Sequence, residues 1–145
     1  MAGFIVQRIE KKCSSDIDIA VKYYAVLFCL NGIHLSPLKI KIIAFTAVRG
    51  SMSYHRKEFI EIFDSSSASL ENAKSELMKT DFLVKIAGKT RVNPMLEMDF
   101  SENLLLSIKL VKDNDRIEGE STNTVREDDN GVMQDSSGAT ESVTV

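Results

Sequence analysis

Residue types from which catalytic and metal centres are built are scarce in this sequence. Its 145 residues include two cysteines and two histidines, and His34 and His55 are too isolated to share a metal ion. A glycine-rich phosphate loop, a G-x-S-x-G elbow and an H-E-x-x-H pair are all missing. We therefore expect a protein that is not an enzyme and that needs no cofactor.

Signals for disulfides, export and membrane insertion are missing too. Two cysteines make no disulfide framework, and Cys29, inside an apolar run, is predicted to be a small core residue. The first residues, MAGFIVQRIEKK, lack the apolar segment and the cleavage site of a secretory signal. The longest apolar stretch, residues 20–30, contains Lys22 and is about half of the ~20 residues that cross a bilayer. We expect a cytoplasmic protein in a reducing setting, with no membrane partner.

Charge is distributed unevenly along the chain. The net charge is −3, but residues 113–145 carry nine acidic residues against Arg116 and Arg126, which gives −7 and leaves +4 on residues 1–112. Serine, threonine, asparagine, glycine and acidic residues dominate this acidic tail, and its apolar periodicity vanishes. We predict that residues 113–145 are disordered, because too little surface could be buried to offset the entropy of ordering them. Residues 1–112 are long enough for one compact domain.

The stretch from Ser65 to Pro94 predicts a helix that leads directly into a β-hairpin. A cluster of serines offers a helix N-cap, and Leu70, Ala73 and Leu77 follow at the spacing of one buried helical stripe. After Asp81 the pattern changes to a strand over residues 82–86, a turn at Gly88-Lys89 and a returning strand over residues 90–92. The rest of the domain is expected to be organised around this unit.

Three further helices are predicted upstream of this stretch. The first runs from Ile17 to Leu30, between an N-cap among residues 14–16 and a stop at Asn31-Gly32. The second begins after Ser36 with a proline in its first turn and closes at Arg49-Gly50, and the third covers residues 54–63. The first helix, residues 17–30, is apolar almost all round, which indicates burial on more than one side or a surface for homodimer formation.

Both ends of the domain show alternating apolar and polar residues. This alternation predicts a strand from Phe4 to Lys11 and a second strand over residues 104–111, and the two could pair with each other. For the second segment a terminal helix is the alternative interpretation.

Four short patterns carry a resemblance to a known family. They are the opening Leu35-Ser36-Pro37, the phenylalanine-rich segment Phe59–Phe63, the helix from Ser66 to Leu77 with Asn72, and the closing Arg91-Val92-Asn93-Pro94. The segment from Leu35 to Leu96 resembles the winged helix-turn-helix domains of phage and plasmid replication proteins and MarR-like regulators. It departs from the better DNA binders of that type in carrying Glu71 and Glu76 on the presumed recognition helix.

The resemblance implies a fold and a function. The fold would be α+β, a mainly helical winged helix-turn-helix over residues 35–96 with a β-hairpin wing, an N-terminal helix over residues 17–31 and the acidic tail. The function would be DNA binding in replication or transcription regulation, in a protein encoded by a phage or mobile element and found in the bacterial host cytoplasm.

A set of nine residues is implied to contact double-stranded DNA. Short polar side chains of the recognition helix would face the major groove, and cations of the preceding helix and of the wing would neutralise phosphates. The first group is Ser67, Ser69, Asn72 and Lys74, and the second is Arg56, Lys57, Lys85, Lys89 and Arg91. The acidic tail would tune access to DNA or recruit a protein partner.

One alternative function stays open at this point. Winged helices also occur in proteins that never touch DNA. The same fold could therefore serve as a protein-interaction module, for instance a phage structural or assembly component located in the virion.

Overall fold

The structure, a computed structural model, describes residues 3–113 of the chain. Its helices within residues 16–79 and its β-hairpin lie in one unit, residues 9–105, and the described residues 3–8 and 106–113 belong to a second unit. Apart from Asp113, the predicted disordered tail lies outside the described residues. The predicted domain limits at residues 1–112 stay a prediction.

Four helices form, three of them behind a capping serine, while the third begins two residues later than predicted and has no side-chain cap. Their bounds are Asp16–Leu30 for α1, Pro37–Arg49 for α2, Arg56–Phe63 for α3 and Ser67–Lys79 for α4. Ser15, Ser36 and Ser66 are the N-caps of α1, α2 and α4, and each side chain accepts a hydrogen bond from a first-turn backbone N–H. Gly50 ends α2 in the left-handed region at φ 86°, where a residue without Cβ is favoured.

The hairpin follows α4 after three residues. Strand β1 is Leu83–Ile86 and β2 is Lys89–Val92, antiparallel, with Leu83 opposite Val92 and Ile86 opposite Lys89. Ala87 and Gly88 form the two-residue turn at φ 53° and 77°, and two positive φ values are typical of a type I′ turn. The α+β class is confirmed as four helices and a two-stranded hairpin, whereas Lys89 belongs to β2 and not to the turn as predicted.

The core of the larger unit is built around α2. Residues Ile42–Thr46 are all buried, and α1, α4 and β2 pack against this helix. The side chains of Leu70, Ala73 and Leu77 are buried as the stripe of α4 predicted. The larger core side chains from the surrounding elements are Tyr24, Phe28, Phe59, Leu83 and Val92. These contacts fix the side of α4 that faces solvent.

The chain beyond the hairpin is held against α1. A short 3-10 turn spans Pro94–Leu96, and the buried Tyr24 hydroxyl donates to the carbonyl oxygen of Leu96 at 2.5 Å. Phe100 is buried as well, with its ring edge-on to those of Tyr23 and Tyr24. Desolvation by burial raises the pKa of Tyr24, so its hydroxyl stays a protonated donor.

The two predicted terminal strands are wrong. Residues 4–11 and 104–111 contain no regular secondary structure, which also excludes the alternative helix for the second segment. Their apolar side chains are largely exposed, up to 100% for Ile5 and 91% for Leu105. Alternation is necessary for a half-buried strand but not sufficient, because a strand also needs a neighbour that accepts and donates the ladder hydrogen bonds.

Cys29 is exposed, so its prediction as a core residue is wrong as well. The buried stripe of α1 runs through Ile17, Ala20, Tyr24 and Phe28. Cys29 follows Phe28 by one residue and is therefore rotated about 100° away from that stripe. Among the described residues, no helix combines the length and the apolar character needed to cross a bilayer.

The tyrosine hydrogen bond generates a first prediction. Tyr24→Phe leaves the Leu96 carbonyl without its donor, so we expect the free energy of unfolding to fall by about 1–3 kcal/mol. Tyr54→Phe, at an exposed ring, is the matched control and should change it by less than about 0.5 kcal/mol. Urea denaturation measures both; equal effects would show that the Tyr24 hydroxyl does not anchor this segment.

Candidate nucleic-acid interface

Helix α4 exposes one polar face. It is preceded by a short turn in which Asp64 ends α3 in the left-handed region at φ 51° and Ser66 caps α4. Since its apolar stripe is turned to the core, the opposite face points to solvent. The exposed residues at the centre of that face are Ala68, Asn72, Ser75 and Lys79.

The four predicted groove-facing residues of α4 do not share this face. Asn72 lies at its centre, and Ser69 is exposed on one flank, where its hydroxyl accepts from the Ser66 hydroxyl at 2.9 Å. Lys74 is rotated about 200° from Asn72 at 100° per residue, and its side chain is only 20% exposed. Ser67 lies on the same flank as Lys74. Only Asn72 and Ser69 are therefore freely presented.

Glu71 joins Arg56 of α3 to Lys74 of α4. The Arg56 Nε is 2.7 Å from one Glu71 carboxylate oxygen, and the Lys74 Nζ is 3.4 Å from the other. Arg56 also donates to the Ser67 hydroxyl at 2.8 Å. One predicted phosphate-binding cation, Arg56, and one predicted groove-facing residue, Lys74, are thus engaged by one carboxylate, which the sequence pattern did not reveal.

The electrostatic environment keeps Glu71 ionised. Partial burial is the largest single influence and acts to raise its pKa. The opposing charges and hydrogen bonds of Lys74 and Arg56 together outweigh it and hold the pKa below its ordinary value. The cluster of Arg56, Glu71 and Lys74 therefore carries a net charge of about +1 near neutral pH.

A groove lies between α4 and the hairpin. Its volume is about 410 Å³, and three lysines line it together with four other residues. The lysines are Lys74, Lys79 and Lys85, and the others are Glu71, Ser75, Met78 and Thr90. Lys79 was not predicted as a site residue, although its position seven residues after Asn72 places it on the same helical face. The groove is cationic, with three lysines against one glutamate, and Met78 adds apolar surface to its lining.

The cations of the hairpin point to two different faces. Lys85 is paired with Thr90 across the hairpin, while Arg91 is paired with Val84. Because side chains alternate along a strand, Lys89 and Arg91 share the face opposite to Lys85. Lys89 is exposed, with its Nζ 5.7 Å from the centre of the Tyr54 ring. The predicted wing cations are therefore not gathered on one side.

Arg91 takes part in a separate groove. One of its terminal nitrogens is 3.6 Å from Glu97, and it lines a second groove of about 420 Å³ with Thr46, Gly50 and Asp99 among its neighbours. The carboxylates of Glu97 and Asp99 make this second groove a poor place for a phosphate. The structure does not bring Arg91 together with the lysines beside α4.

The remaining cations near α4 fall into two groups. Lys39 of α2 is paired with Glu76 at 2.6 Å, and hydrogen bonding from Lys39 lowers the pKa of Glu76. Both glutamates of α4 are thus neutralised by a cation from another helix. Lys57 of α3 is exposed and forms no ion pair with any described residue. It stays available to an external anion.

No cluster of three or more histidine, cysteine or carboxylate side chains that could hold a metal ion occurs in the part of the chain that the structure describes. Comparisons with protein-family models, with curated proteins and with solved structures found no match to this chain. Function is therefore inferred from the residues and their geometry alone.

The lowered pKa of Glu71 generates a second prediction. A carboxyl group with a depressed pKa stabilises the fold above its unfolded pKa, and this contribution is lost as the pH falls through the folded value. Glu71→Gln should therefore lower stability at pH 7, and this loss should shrink toward pH 3 as the pH falls through the lowered pKa of Glu71. Because its side chain is 44% exposed, we expect less than about 1 kcal/mol.

Thermal unfolding at both pH values measures this effect. Glu61→Gln, at an exposed position of α3, controls for the loss of one surface carboxylate. An equal loss of stability at pH 7 and pH 3 would mean that the ion pairs of Glu71 contribute nothing.

Proposed function

We propose that the chain is a winged-helix protein that binds double-stranded DNA through α4 and the hairpin. The observation that carries this proposal is the exposed polar face of α4 beside a groove lined by Lys74, Lys79 and Lys85. A helix fits the major groove of DNA, and flanking cations can bind the phosphates on either side.

The order of the elements supports a winged helix. A helix, a short connecting segment, two helices separated by a tight turn and a hairpin follow one another as in the family that the sequence resembles. The connecting segment, residues 51–55, contacts β2, since the Met52 N–H donates to the Thr90 carbonyl at 3.0 Å. The Thr90 N–H in turn donates to the Ser53 hydroxyl at 3.1 Å. The hairpin is thereby held against the start of the helix-turn-helix.

Asn72 is the residue proposed to recognise bases. Its carboxamide can accept and donate at once and so make a bidentate pair with adenine. It lies at the centre of the exposed face, with Ser69 and Ser75 within one turn. Ser67 and Lys74 lie on the flank turned to Arg56 and are proposed to orient α4 and to meet the phosphates at its edge.

Phosphate binding is proposed for the cations that no carboxylate holds. Lys57, Lys79, Lys85 and Lys89 form no ion pair with the described residues and so can release condensed counterions from DNA. Arg56 is engaged with Glu71 and is proposed to act mainly by fixing α4 against α3. Arg91, paired with Glu97, lies outside this group.

The biological role is proposed from the sequence patterns. Replication or transcription regulation, in a phage or mobile element within a bacterial cytoplasm, is the setting implied by the resemblance over residues 35–96. A homodimer through α1 would place two copies of α4 on the DNA, as in other dimeric helix-turn-helix proteins. Leu30, which is 55% exposed, offers apolar surface at the end of α1 for such a contact.

One observation favours the alternative of a protein-interaction module. Glu71 and Glu76 pair with three of the cations near α4, and the segments 4–11 and 104–111 expose many apolar side chains. A surface of mixed charge, and exposed apolar side chains elsewhere in the chain, suit a protein partner as in a phage assembly component. The two functions differ in their response to salt, because only DNA binding releases many counterions.

A salt titration therefore tests the proposed function. Binding to random duplex DNA should weaken as the salt concentration rises, with a steep negative slope on a double-logarithmic plot. Lys79→Gln and Lys85→Gln should each reduce that slope by about 0.9. Lys22→Gln, on α1 and paired with Asp18, removes the same charge elsewhere and should leave the slope unchanged. Fluorescence anisotropy measures the affinities; a flat slope favours the protein-interaction module.

Asn72→Ala tests base recognition separately. With a site selected from randomised duplexes, the variant should lose about 1–3 kcal/mol of affinity for that site and keep its affinity for random DNA. Asn103→Ala, at an exposed position outside the helices, is the matched control and should change neither. An equal loss on both kinds of DNA would assign Asn72 to phosphate contact or to folding.

A further inference from the structure

The groove between α4 and the hairpin has the chemistry of an acidic-peptide site. Lys79 and Lys85 line it without an ion pair to any described residue, and Lys74 adds a third ammonium group beside Glu71. Met78 is half-buried and contributes an apolar wall. A peptide that fits this groove would carry consecutive carboxylates followed by an aliphatic side chain.

The chain itself contains such a peptide. Residues 127–129 are Glu-Asp-Asp, the longest acidic run in the sequence, and Val132 and Met133 follow after Asn130-Gly131. Three consecutive carboxylates oppose in charge the lysines of the groove, of which Lys79 and Lys85 form no ion pair with a described residue. The glycine allows the chain to turn so that an aliphatic side chain can reach Met78.

We propose that the lysine groove beside α4 binds acidic peptide, and that residues 127–133 of the same chain occupy it when no other ligand is present. This binding does not require that the protein binds DNA. Its consequence for DNA, a competition between the acidic tail and the phosphates for Lys79 and Lys85, rests on the proposed function.

Chain length permits the contact. A unit the size of residues 9–105 has a radius of gyration of roughly 13 Å. The chain between Leu105 and Glu127 can extend over roughly 70 Å at about 3.3 Å per residue. Residues 127–133 can therefore reach any point on the surface of that unit, wherever the connecting chain leaves it.

Covalent attachment makes a weak contact effective. Attachment through the same chain gives a segment an effective concentration in roughly the millimolar range. If the free peptide bound the groove with a dissociation constant near 1 mM, the groove would be about half to nine-tenths occupied. The apparent affinity for a competing ligand would then fall by about two- to tenfold.

The test of occupancy uses the full chain without DNA. Methyl NMR of Met78 and amide NMR of Lys79 and Lys85 are recorded for the natural chain and for a triple variant, Glu127→Gln with Asp128→Asn and Asp129→Asn. The control triple variant, Asp115→Asn with Glu118→Gln and Glu120→Gln, removes the same charge from another part of the tail. We expect the three groove signals to shift in the first variant and to stay unchanged in the control.

Reversal of the charges makes the test specific. In a chain that carries Lys79→Glu and Lys85→Glu, the groove NMR signals should be the same with the natural tail and with the tail in which residues 127–129 are Gln-Asn-Asn. Replacing residues 127–129 by lysine in that background should restore a groove-centred shift. Unchanged groove signals in the first triple variant overturn the proposal, as do equal shifts in both triple variants or shifts that grow with protein concentration.

DNA affinity is measured separately, so that the two proposals can fail independently. With random duplex at low salt, the first triple variant should bind about two- to tenfold more tightly and the control triple variant less than twofold. Groove shifts without any DNA binding would leave the acidic-peptide site standing and overturn the proposed function. DNA binding with a steep salt slope but no groove shift would support the proposed function and overturn the acidic-peptide site.

Discussion

The complete burial of one segment of α2 is the constraint on which the larger unit depends. Residues Ile42–Thr46 are consecutive and all buried. At 100° per residue five consecutive positions surround the whole helix, so neighbours must cover it on every side. Helix α1 covers one side, and α4 and β2 cover others. The Thr46 hydroxyl is compatible with this burial because it donates to the Ile42 carbonyl at 2.7 Å.

This constraint fixes which face of α4 points to solvent. The two glutamates of α4 then pair with cations from neighbouring helices. Glu71 connects α4 to Arg56, and Glu76 connects it to Lys39. The Arg56–Glu71 pair is about half exposed, so it contributes less than about 1 kcal/mol, far less than the apolar contacts beneath it. An external phosphate could therefore replace Glu71 as a partner of Arg56 at little cost in stability.

Helix limits and the hairpin were predictable because their signals are local. Serine N-caps, Pro37, Gly50 and the two-residue turn act within a few residues of the chain, and the structure places the elements accordingly. The terminal strands were not predictable from alternation, because pairing depends on a distant backbone. The exposure of Cys29 was not predictable either, because an apolar run does not show which side of a helix other elements will cover.

The candidate site was predictable in its elements but not in its pairings. Asn72 could be placed on an exposed face from the spacing of the buried stripe alone. That Glu71 engages Arg56, and that Arg91 turns to Glu97, depends on side chains from separate elements. The division of charge, +4 on residues 1–112 and −7 on residues 113–145, has a consequence for any polyanion. In the proposed competition, cations beside α4 that no internal carboxylate holds are shared between an external anion and the acidic tail of the same chain. At 0.15 M ionic strength, with a screening length of about 8 Å, that sharing requires direct contact rather than attraction at a distance.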